Sequence, residues 1–309
     1  MRDHLPTTGE KPCSRDDFHR PIRRAETPEA IRINGSGREV EHTQDMEAKM
    51  AENSGISWTD NTFNPWIGCT KVSPACDNCY AETWDNRFGG ERWGARAART
   101  RTGVKNWNRV LRWNRDAEAS GRKTVVFCAS LADVFDNHRS IMPEWREDLW
   151  RLIGSTPNLA WMLLTKRPQN IARYLPSDWG DAGYPNVALG ASVENMTEAA
   201  RRVPALLSVP AAGRFLSMEP LVEKVILPED ALGTGRIDYI IAGGESGTGA
   251  RPADPDWFRS ARDQAAKSGI AFHFKQWGEF DAAGDRVGVD AAGSLLDGMA
   301  WTDRLPIAA

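Results

Sequence analysis

"NVALGASVEN", residues 186–195, decides the architecture. It opens on an unbroken apolar run and closes on Ser192, Glu194 and Asn195, the profile of a strand that is buried on both faces and ends at a polar rim. Five further runs follow the same rule: "KTVVFCASLADVF" (123–135), "LAWMLLTKRP" (159–168), "GRFLSMEPL" (213–221), "IDYIIAGGESG" (237–247) and "IAFHFKQWGE" (270–279). Their polar ends carry Ser130 and Asp133, Thr165 to Arg167, Ser217 and Glu219, Glu245 and Ser246, and Lys275 and Gln276. Helical patterns separate them. "MPEWREDLWRLIGSTP" spaces Trp145, Leu149, Leu152 and Ile153 on one face, with Pro143 suited to the first turn. Asn195 with Glu198 predicts an N-cap before an apolar face of Met196, Ala199, Val203 and Leu206. Asp254-Pro255 opens a helix bearing Trp257, Ala261 and Ala265, which Gly269 can close.

Repeated strand–helix units imply a parallel sheet. Polar ends on six successive strands favour a barrel over a doubly wound sheet, because in a barrel all the strand C-termini meet on one functional face. With a short first strand near Asn64 to Gly68, the expected fold is α/β, a full or partial parallel βα barrel of TIM type. Residues 1–52 are rich in Arg, Glu, Asp, Thr and Pro and predict a disordered or loosely attached extension, leaving 53–309 as the barrel domain.

The net charge of −3 and pI near 6.0 give no global footprint of a nucleic-acid binder. No run approaches the length of a membrane span and the N-terminus lacks a signal-peptide core, so the expectation is a cytoplasmic protein. Five cysteines without a secretion signal argue against a disulfide framework. Three of them, Cys69, Cys76 and Cys79, share "GCTKVSPACDNCYAE" (68–82) in a C-x6-C-x2-C spacing. One use is a 4Fe–4S cluster held by three thiolates, its fourth iron open to the amino and carboxylate groups of S-adenosylmethionine; an electron donor is then required. The other is a zinc ion with a fourth ligand such as His138 or His273. Cys13 and Cys128 read as bystanders.

Around the strand ends, Glu219, Glu245 and Lys275 are the candidate catalytic groups. Tyr80, Ser192, Glu194, Ser217, Gly243 and Gly244 are the candidates for binding cofactor, and Lys166 and Arg167 for binding an anionic substrate. From Arg87 to Arg115 nine Lys/Arg stand against one acid, Glu91, interleaved with Trp93, Trp107 and Trp113. Arg101, Lys105 and Arg109 there predict contact with a nucleic acid or nucleotide-derived substrate. The competing reading is a helix whose tryptophans face inward.

The ordered set "ISWTDNTFNPWIGCTKVSPACDNCYAE", "LLTKRP", "SVEN", "SMEPL", "GGESG", "KQWGE" and "LLDGMAW" resembles a phage-associated three-cysteine-motif family of uncharacterised proteins, over residues 56–305. Its cysteine loop after a first barrel strand is similar to that of the radical S-adenosylmethionine superfamily. That resemblance implies a 4Fe–4S cluster on Cys69, Cys76 and Cys79, S-adenosylmethionine as cofactor and radical chemistry. The superfamily's first gap is three residues where this chain has six, and its Gly-Gly-Glu motif ends the second strand where Gly243-Gly244-Glu245 ends the sixth run. The alternatives are a zinc-stabilised nucleic-acid-binding phage protein without enzymatic activity and a barrel hydrolase using the carboxylates.

Overall fold

The computed structural model describes residues 54–233 and 235–306. The expected extension and Cys13 lie outside them. Seven parallel strands form one curled sheet: β1 Asn61–Phe63, β4 Thr124–Cys128, β5 Leu159–Thr165, β6 Val187–Ser192, β7 Gly213–Met218, β8 Tyr239–Gly243 and β9 Ala271–Gln276, in that spatial order. Strands β1 and β9 are its two edges, so the barrel is partial.

Period-2 alternation divides each strand between two cores. Val126, Trp161, Leu163, Leu189, Leu216 and Ile240 face the helices. Against them pack α2 (Val104–Ser120) through Trp107 and Trp113, α3 (Pro143–Gly154) through Leu149 and Trp150, α5 (Met196–Leu207) through Val203 and Leu206, and α6 (Pro255–Ser268) through Phe258 and Ala261. The opposite, concave face buries Val125, Phe127, Met162, Ala188, Phe215 and Ile241 with Trp58 and Leu305. Gly190 is required there, since a Cβ would lie 2.3 Å from the Phe215 ring.

The expected caps are present. Asn195 accepts from Glu198 N at 2.8 Å, and Gly269 closes α6 at φ 67°. Two expectations shift. The first strand lies before Pro65, because proline lacks the N–H a ladder needs; Trp66–Ile67 (β2) instead pairs antiparallel with Thr100–Arg101 (β3). On α6 the inward face carries Phe258 with Ala261 and Ala265, while Trp257 is half-buried. Short elements complete the chain: α1 Tyr80–Arg87, α4 Ile171–Tyr174, α7 Val289–Ala292 and the β10–β11 hairpin, Leu295–Leu296 with Met299–Ala300. Among the described residues no helix is long and apolar enough to cross a membrane.

Candidate functional site

The cysteine loop leaves β2 through Gly68, whose φ of +116° and 2.6 Å approach to Arg92 O, measured from an added Cβ, admit only glycine. Gly68 N donates to Leu131 O at 3.0 Å, which lays Cys69 beside the end of β4. A single 3-10 turn, Pro74–Cys76, carries Cys76, and Cys79 is the N-cap of α1. All three cysteines line one cavity of about 590 Å³ at the C-terminal ends of the strands.

Charged groups at the strand ends hold this loop from below. Arg167, 5% exposed, pairs with Asp133 at 2.9 Å, donates to Thr70 O at 2.8 Å and sits 3.7 Å from Cys69 Sγ. Arg99 adds a 2.6 Å bond to Thr70 Oγ1 while pairing with Asp136 at 2.9 Å. Glu194 accepts from Ala75 N at 3.4 Å and pairs with Arg202 at 2.7 Å. Arg251 binds both oxygens of Glu245, at 2.7 and 2.8 Å, and reaches Pro74 O at 2.8 Å and Asp77 Oδ2 at 3.3 Å. Asn78 Nδ2 closes the set on Gly249 O at 2.7 Å.

Two pKa shifts follow from this packing. Burial and the nearby Asp133 push the Cys69 thiol up to about 11, with Arg167 opposing, so a metal bound there must displace a proton. For Glu245 burial favours the neutral acid, but the hydrogen bonds and charge of Arg251 outweigh it and hold the carboxyl below its ordinary value.

Residues 53–306 match a family described as a protein of unknown function, DUF5131. The chain belongs to this family. No curated protein and no solved structure matches it.

In this DUF5131 chain the predicted site residues divide into three groups. Cys69, Cys76, Cys79, Tyr80, Lys166, Arg167, Ser192, Ser217, Glu219, Gly244, Glu245 and Lys275 come together around the cavity. Tyr80, half exposed, donates to Ser130 O at 2.7 Å, and Glu219 pairs with Lys275 at 2.8 Å. Glu194 and Gly243 stand just behind, outside the lining. Gly244 is glycine because a Cβ would lie 1.7 Å from Trp277 O, so the close approach there is made by the chain itself. Arg101, Lys105 and Arg109 are not among the lining residues. Arg101 pairs with Asp148 at 2.5 Å and lies 4.5 Å above the Trp107 ring, Lys105 is exposed on α2, and Trp107 and Trp113 are buried beneath.

Thiols are the donors that a cluster would take at this DUF5131 site. Three thiols from one loop share a cavity, a cation abuts one of them, and Cys79 stands at a helix N-terminus. Among the described residues no three His, Cys, Asp or Glu side chains form a ready ion site. His138 bonds Ser140 Oγ at 2.8 Å and Ala95 O at 3.1 Å, and His273 bonds Ser57 Oγ at 2.8 Å, each off the cavity lining. Sequence reasoning missed Trp58 on the cavity wall and Arg251; nothing in local periodicity marks either one.

Proposed function

We propose that the chain is a cytoplasmic iron–sulfur enzyme of the radical S-adenosylmethionine type, acting on a nucleotide-derived substrate; the phage association implied by the resemblance belongs to the same proposal. The carrying observation is that Cys69, Cys76 and Cys79, from one loop, line a single cavity at the C-terminal mouth of a parallel sheet. When bound, a 4Fe–4S cluster with three cysteine ligands leaves one iron for S-adenosylmethionine and supplies the electron that cleaves its sulfonium.

The chain's own residues do the rest. Arg167 stabilises a thiolate at Cys69, and the Arg251–Glu245 and Arg202–Glu194 pairs hold the loop's middle in register with β6 and β8. Glu245 therefore acts as a positioning residue. Glu219 and Lys275, 2.8 Å apart on the cavity wall, are the pair able to hold or pass a proton. A zinc-stapled binder finds less support, because His138 and His273 are engaged elsewhere.

The test is reductive cleavage. Anaerobically reconstituted protein with dithionite and S-adenosylmethionine is expected to yield 5′-deoxyadenosine, and Cys76→Ala to abolish it. Cleavage that persists in the variant contradicts the role of the loop.

A further inference from the structure

Four cations line the cavity: Lys71, Lys166, Arg167 and Lys275. Three are neutralised, Lys71 by Glu82 at 2.8 Å, Arg167 by Asp133 at 2.9 Å and Lys275 by Glu219 at 2.8 Å. The Lys166 ammonium has no partner among the described residues. Its backbone N–H donates to Asp133 at 3.1 Å, which fixes the residue and leaves the charge uncommitted.

The wall below holds further uncommitted groups. Ser192 Oγ and Trp58 Nε1 are buried without a hydrogen-bond partner, in residues 1% and 3% exposed. Ser217, the register partner of Ser192 across β6 and β7, also lines the cavity, and its hydroxyl has no partner among the described residues. Orphaned indole N–H groups also occur in the core, at Trp66 and Trp107, so Trp58 alone says little. The coincidence with Ser192 and Lys166 in one cavity carries the argument. A buried donor left unmade costs about 1–3 kcal/mol, and a ligand bringing acceptors removes that cost.

These groups define the ligand's chemistry. Lysine and indole offer donors only, so the ligand must present an anionic group and further acceptors. Trp58, Phe127 and Leu164 supply apolar wall for a planar body, two of the three with aromatic rings. We propose that the cavity binds a free nucleoside monophosphate, its phosphate on Lys166 and its base acceptors on Trp58 and the Ser192–Ser217 pair. Of the three tryptophans in the basic stretch, Trp107 and Trp113 are turned into the core and only Trp93 lines the cavity, which gives a polymer no run of stacking faces along that stretch. The inference rests on this cavity being the binding site named above, not on the cluster.

Calorimetric titration of the full-length chain tests it, with the four ribonucleoside 5′-monophosphates, their nucleosides, inorganic phosphate, S-adenosylmethionine and a single-stranded RNA oligonucleotide as probes. At least one monophosphate is expected to bind one to one, with its nucleoside about ten- to a hundredfold weaker for want of the charged bond. Lys166→Gln should weaken the monophosphate by the same factor and leave the nucleoside unchanged, which a merely structural lysine would not do. Trp58→Phe should weaken both about two- to tenfold. The proposal is overturned if no monophosphate binds, if Lys166→Gln changes nothing, if phosphate alone binds as well as the nucleotide, or if only the oligonucleotide binds. It also fails if S-adenosylmethionine alone depends on Lys166. Titration of the metal-free chain keeps the two readings apart: the nucleotide should still bind it. Binding by protein that never holds iron leaves this inference standing and removes the radical reading, while iron and cleavage without nucleotide binding do the reverse.

Discussion

The cysteine loop and helix α2 both drew notice for their residue content, and they are held to the fold by opposite means. Helix α2 is fixed by burial: Trp107, Val110, Trp113 and Ala117 are inside, and Arg101 of β3 lies over the Trp107 ring. The loop buries Ala75 and Cys76 but is fixed mainly by directed polar bonds, from Arg167, Arg99, Glu194, Arg251 and Gly249. Burial is tolerant of chemistry and serves stability; directed bonds set where particular atoms stand. Three thiols are positioned by the second means, the arrangement expected of a site supported by its surroundings.

The contrast can be broken by mutation. Trp107→Ala should cost about 3–5 kcal/mol of stability, the usual loss for a large buried aromatic, read from denaturant unfolding. The reactivity of the loop thiols in the folded fraction should not change. Arg251→Ala should invert the pattern, costing about 1–3 kcal/mol by leaving Glu245 buried and unpaired, while Cys76 and Cys79 react several-fold faster with a thiol reagent in the native protein. If Trp107→Ala loosened the loop as much as Arg251→Ala, the two regions would not be distinct.

Acid gives the smallest effect. The pKa of Glu245 is lowered in the folded chain, so the folded form binds fewer protons than the unfolded one just below the ordinary value of 4.5. Its contribution is complete above that value and is lost as pH falls through the lowered one. Loop thiols should therefore become more accessible only below about 4.5, and Glu245→Gln should remove that pH dependence.

Much of this was legible in the chain. Six apolar runs with polar ends marked the strands and their polar rim, because a strand buried on both faces reads as a continuous run and a βα loop does not. Asn195 and Gly269 marked helix ends because a cap is a local bond. In the basic tryptophan stretch Trp107 and Trp113 pack inward while Trp93 lines the cavity, and helical spacing of Trp107, Val110 and Leu111 was the signal for the inward pair. What the chain did not reveal were partnerships. Glu245 carries the same carboxylate as Glu219, yet one is committed to Arg251 and the loop while the other faces Lys275 in the cavity. Those pairings depend on where the 245–251 turn folds, a tertiary fact with no period in the sequence. Lys166 and Arg167 are neighbours with the same charge, and only the fold separates the paired cation from the uncommitted one.

The three loop cysteines are proposed to form one cluster site. Iron and acid-labile sulfide analysis of anaerobically purified protein, with its visible spectrum, tests it most directly. Brown protein with broad absorption near 400 nm and about four iron and four sulfide per chain is expected, both lost together in Cys76→Ala. Colourless protein that holds stoichiometric zinc, or that cannot take up iron and sulfide on reconstitution, would contradict it.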